Sequence, residues 1–118
     1  MPKEIYKILG QERPDSTDED VLYTVPKNRS FIGKIIIFNH SGSTALVSVA
    51  IVPDGGAASP PVTVPKNYIL EDFVIDPKRA ASGGELKGIT MNEFDEIRVE
   101  TGTPDEVGFH VFGVELEP

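Results

Sequence analysis

The sequence predicts an all-β fold, a single-domain antiparallel β-sandwich that is jelly-roll-like and has about eight strands. Three observations carry this expectation. Short apolar bursts alternate with turn chemistry, and no long helical segment interrupts them. The strongest burst, Ser30–Asn39 (SFIGKIIIFN), is followed after His40-Ser41-Gly42-Ser43 by a second, Thr44–Val52 (TALVSVAIV). Runs this apolar suggest strands buried on both faces, hence the centre of a sandwich or barrel. Turn signals also recur at the spacing of a sandwich or jelly roll.

Taken in order, Lys3–Leu9 alternates loosely and reads as an edge strand or an extended arm. Gln11–Asp20 is polar and turn-rich, a loop. Val21–Val25 is a short strand stopped by Pro26, which cannot donate to a ladder. Lys27-Asn28-Arg29 turns into the strand Ser30–Asn39, and Asn39–Ser43 supplies the Gly and Asn that tight hairpins need. In Thr44–Val52 the more apolar set, Val47, Val49 and Ile51, should face the core. Pro53–Lys66 holds four prolines and two glycines and reads as a long exposed loop, a feature that often contacts something. Asn67–Ile75 is a strand by its β-branched and aromatic content, or a helical turn entering one. Asp76–Gly84 is a loop, Leu86–Met91 a strand and Asn92–Asp95 a turn. In Glu96–Thr101, Ile97 and Val99 alternate with Glu96, Arg98 and Glu100, which marks one wet face. Gly102–Glu106 turns into the last strand, Val107–Leu116. Residues 1–20 are thus an edge strand or arm plus a loop, and residues 21–118 form the sandwich domain.

Composition narrows the function classes. With 11 Lys+Arg against 19 Asp+Glu the net charge is −8. That balance repels phosphate backbones and offers no counterion-release drive, so no nucleic-acid partner is expected. The chain has no cysteine, so the fold needs neither disulfides nor thiolate-bound metal. The N-terminus lacks the apolar core of a signal peptide, and no segment approaches the roughly eighteen apolar residues of a membrane span. A soluble, unprocessed protein without a membrane partner is expected.

Candidate chemistry is sparse. His40, beside Ser41 and Ser43, invites a nucleophile–base reading, but sequence neighbours rarely supply triad geometry and no G-x-S-x-G elbow is present. His110, between Phe109 and Val111, reads as a strand-face or interface side chain. Two isolated histidines do not make a zinc site. Asp15, Asp18, Glu19 and Asp20 lack the pattern of a calcium loop. Gly55-Gly56 and Gly83-Gly84 open no helix after a strand and read as turns, not phosphate cradles. A sugar site wants aromatic platforms with polar handles, and the chain has no Trp. No catalytic residue, cofactor, metal or small-molecule substrate is expected, and the protein is read as not an enzyme.

The order of features is nonetheless specific. A strand ends in Tyr23-Thr24-Val25-Pro26, the next long strand ends in Asn39, and another closes on Ile51-Val52-Pro53. Leu86–Met91 then leads through Phe94-Asp95-Glu96-Ile97-Arg98-Val99 to a terminal Phe112-Gly113-Val114-Glu115-Leu116. This ordered set, over Val21 to Leu116, resembles small virion proteins of tailed bacteriophages. One departure stands out: Phe94 precedes Asp95 where the pattern has Gly. The resemblance implies a jelly-roll body that assembles as a homotrimer, binds the major capsid protein on the outer head surface and stabilises the shell. The alternative it implies is a tail or fibre component that binds the host surface or a glycan. It further implies a virion location after synthesis in the bacterial host cytoplasm. The segments expected to meet partners are the N-terminal arm, through Ile5, Tyr6, Ile8 and Leu9, and the long loop, through Pro60, Pro61 and Val62. Such an arm could add a strand to an exposed sheet edge.

Overall fold

β-Branched and aromatic runs that alternate in burial set the strands, and Gly, Pro and Asn end them. The structure, a computed structural model, describes residues 3–53, 67–81 and 83–117. In chain order the strands are β1 (Lys3–Glu12), β2 (Asp20–Thr24), β3 (Ser30–Asn39), β4 (Ala45–Val52) and β5 (Tyr68–Ile75). They continue with β6 (Ala80–Ala81), β7 (Ile89–Met91), β8 (Glu96–Thr101) and β9 (Val107–Glu117). One sheet runs β1-β9-β3-β6, with β7 also paired to β3; the other runs β2-β8-β4-β5. All pairings are antiparallel. With β6 and β7 counted as one interrupted strand, this is the strand order of a jelly roll.

The core lies between the sheets. Phe31, Ile35 and Ile37 of β3 and Val107, Phe109 and Val111 of β9 meet Val47 and Val49 of β4 and Ile97 and Val99 of β8, all fully buried. Gly33 and Gly113 face each other across the β3–β9 ladder. A Cβ on Gly33 would stand 2.2 Å from the Phe112 carbonyl oxygen and 2.4 Å from Phe31 Cζ, so only bare backbone lets the Phe31 ring lie over the pair. This is the aromatic cover that strand glycines require.

Two polar pins join the sheets through this apolar layer. The first is Asn39, wholly buried at the end of β3. Its amide nitrogen donates to the Ser43 carbonyl at 2.8 Å and, across the sandwich, to the Ile75 carbonyl at 3.1 Å. Its Oδ1 accepts from the Ser41 N–H at 2.9 Å and hydroxyl at 2.8 Å, which fixes the β3–β4 hairpin. The second is Tyr23 of β2, whose hydroxyl donates to Glu115 Oε2 of β9 at 2.5 Å. Arg29 binds Glu115 Oε1 and Glu117 Oε1, both at 2.7 Å, so Glu115, only 2 % exposed, is fully partnered. A buried carboxylate needs such partners to offset its desolvation.

The structure corrects four expectations. The expected strand Leu86–Met91 begins only at Ile89, because i→i+3 bonds from Leu86 to Gly83 and Lys87 to Gly84 wind a 3-10 turn at Gly84–Leu86 that drives Leu86 into the core. The expected loop Asp76–Gly84 contains the short strand β6, paired with Ile37 and Phe38. The supposed wet face of β8 is largely covered: Arg98 is 6 % exposed, held by Glu96 at 2.8 Å and by Glu19 at 3.2 Å from the loop before β2. Finally, β3 is not buried on both faces. Its inner row is buried, whereas its outer row, Ile32, Lys34, Ile36 and Phe38, is exposed or half-buried. The central part of β4 is buried on both faces as expected, since Ser48, Ala50 and Val52 are covered as well as Val47 and Val49.

Candidate interaction surface

The outer row of β3 belongs to a continuous face. Register places Ser30 opposite Leu116, Ile32 opposite Val114, Lys34 opposite Phe112, Ile36 opposite His110 and Phe38 opposite Gly108. Of these ten outward positions on the two central strands of the five-stranded sheet, six are apolar and none is acidic. The chain as a whole carries 19 Asp+Glu in 118 residues, and none falls at these ten positions. Ile32 is 48 % exposed, and Ile36, Phe38, Phe112, Val114 and Leu116 are half-buried. Lys34, exposed near the middle, places a cation in this face.

β1 borders the face as the outermost strand of its sheet. Its backbone pairs Ile5 with Glu115, Tyr6 with Val114 and Ile8 with Phe112, while Leu9 sits in the irregular register between Ile8 and Gly10. The segment expected as an edge strand or arm is therefore an edge strand folded onto its own domain over Lys3–Glu12. Gly10 lies so close to β2 that a Cβ there would stand 2.5 Å from the Leu22 carbonyl oxygen, and this side of the sandwich is closed. Pro60, Pro61 and Val62, with most of the long loop, lie outside the described residues.

Two grooves offer less. One, of about 410 Å³, opens on the opposite side of the sandwich between Leu70 and Phe73 of β5 and Ala80, Ala81 and Leu86. The other, of about 440 Å³, runs past Asn28, Arg29 and Leu116. The Arg29 guanidinium beside it is already committed to Glu115 and Glu117, which leaves little cationic character for an anion. Burial first, then the hydrogen bond to Glu115 and the charge of Glu115, raise the Tyr23 phenol well above its ordinary value. That shift belongs to a structural pin.

His40 and His110 are 70 positions apart in the sequence but share one end of the outer face. A Cβ on Gly108 would stand 3.3 Å from His110 Nε2 and 3.5 Å from His40 Nε2. Sequence reasoning did not bring them together, because their proximity follows from the β3–β9 register. Among the described residues no group of three or more His, Cys, Asp or Glu side chains is placed to hold a metal ion. Nor is any helix of the described residues long and apolar enough to cross a membrane.

The face itself was missed, although a signal for it exists. A two-layer fold buries one side of each strand, so a strand apolar on both alternations, such as SFIGKIIIFN, leaves one apolar row for something else to cover. Comparison of the chain with protein-family models, with curated proteins and with solved structures finds no match.

Proposed function

We propose that the protein is a non-enzymatic structural component of a tailed-bacteriophage particle, a decoration protein that sits as a homotrimer on the outer surface of the head and stabilises the shell. The observation that carries this reading is the apolar, carboxylate-free outer face of β3 and β9 on a chain of net charge −8. Such a face suits a protein partner: an apolar ledge with an acidic group opposite Lys34. The resemblance over Val21 to Leu116 supplies the identity of that partner, the major capsid protein. The mechanism is mechanical. Each contact is of modest size, and repetition over a symmetric lattice makes many modest contacts collectively strong.

Co-sedimentation of the purified protein with phage heads tests the reading. Ile32→Asp places a carboxylate on the face at a position 48 % exposed and should weaken head binding at least tenfold while leaving the melting transition within a few degrees. Undiminished binding by this variant would contradict the assignment. Saturable binding to host cells, with no affinity for heads, would move the protein to the tail or fibre.

A further inference from the structure

The chain has two histidines, and the fold brings both to the same patch of bare backbone. His40 follows β3 and His110 lies on β9; between their rings is Gly108, whose missing side chain leaves open the space that both Nε2 atoms border. Each ring is held from another side. The Phe38 ring meets His40 edge-on, with centroids 4.5 Å apart, and the Lys78 ammonium donates to the His40 carbonyl. His110 lies against Phe112 with centroids 6.3 Å apart, and its Nδ1 is 3.1 Å from the side-chain amide of Gln11 on β1. An imidazole held through Nδ1, as His110 is by Gln11, leaves Nε2 as the nitrogen that can ligate a metal. The amide ends of Gln11 interchange by a half-turn. With its oxygen inward, His110 Nδ1–H donates to it and the Nε2 lone pair is left free.

We propose that His40 and His110 form a two-imidazole surface site for a divalent transition-metal ion of the zinc class, oriented by Gln11 and Phe38. Imidazole nitrogen suits zinc, nickel and copper; the two Nε2 atoms stand 3.3 and 3.5 Å from the place of a Gly108 Cβ, and rotation of both side chains must bring them to the ligand distance of about 2.0–2.1 Å to zinc. The described residues supply two donors, so water completes the coordination and the affinity is below that of a closed four-ligand site. The site is independent of the head-binding reading.

Calorimetric titration of the protein, free of any polyhistidine tag, with zinc chloride at pH 7.5 tests the proposal. One ion should bind per chain. Binding should weaken at least tenfold in His40→Ala and in His110→Ala, with the melting temperature of each metal-free variant unchanged. Zinc should also shift the ring nitrogen signals of both histidines together in a 15N NMR spectrum. Gln11→Leu, which leaves both donors in place, should lose several-fold in affinity. Absence of binding, or equal binding by wild type and the double histidine variant, would overturn the site; unchanged affinity in Gln11→Leu would overturn the orienting role.

Discussion

Phe94 shows how one side chain can sit against the preference of its backbone. Its φ is +66°, in the left-handed region, at the turn where its N–H donates to the Val25 carbonyl and the Val25 N–H donates to the Asp95 carbonyl. A non-glycine residue there is strained by about 1–2 kcal/mol, and Phe94 is 38 % exposed, so contacts of the covered part of the residue offset some of that strain. Phe94→Gly relieves that strain but removes the ring's contacts and adds chain entropy, so it should shift stability by less than about 1 kcal/mol, read as a urea midpoint close to that of the wild type at unchanged slope. Asn39 and Glu115 are structural: one pins the hairpin to β5, the other receives Tyr23 and Arg29. Asn39 and Glu115 thus hold the sandwich together, while the outer-face residues are where partner choice would be made.

At the scale of elements, β3 and β9 form the axis of the molecule. Their ten-residue register passes through the Gly33–Gly113 pair, where the backbones and the Phe31 ring leave no room for a methyl group. Gly33→Ala should cost about 2–3 kcal/mol, because overpacking must push Phe31 or the Phe112 peptide out of place; equilibrium denaturation measures it, and a loss below half a kilocalorie would show that the ladder yields easily. The long strands were legible in the sequence because alternation and apolar content agree, as in Val107–Leu116 and Ser30–Asn39. The interrupted seventh and sixth strands were not. Ala80-Ala81 has no strand propensity to read, and Leu86 reaches the core from a 3-10 turn, a placement set by Gly83 and Gly84 together with the tertiary packing. The candidate surface was legible only in part. Ile32, Ile36 and Phe38 announce surplus apolar area, but which face they take and that His40 nears His110 depend on long-range register.

For the whole molecule, the Tyr23–Glu115 bond ties one sheet to the other and sets an alkaline limit. The phenol is raised in the folded state, by burial first and then by Glu115, above an unfolded value of about 10. A group raised in this way contributes its full stability below the unfolded value and loses it as pH rises toward the folded one. Stability should therefore show no loss from this group up to about pH 9 and fall above about pH 10. Tyr23→Phe should be less stable at neutral pH by about 2 kcal/mol, the worth of a hydrogen bond to a charged group, and should show a shallower alkaline decline. Equal alkaline slopes in the two proteins would assign that decline to other groups.

The sandwich so pinned is a body with one closed side, one grooved side and, along β3 and β9, a row of outward positions that is mostly apolar and holds no acid. That face is the centre of the functional account. The most direct measurement is an electron cryomicroscopy reconstruction of phage heads saturated with the protein, with the chain fitted into the added density. The account expects threefold-arranged density in which Ile32, Lys34 and Phe112 of the β1-β9-β3-β6 sheet lie against the shell. Density contacting the shell through the β2-β8-β4-β5 sheet instead, or saturated heads without added density, would contradict it.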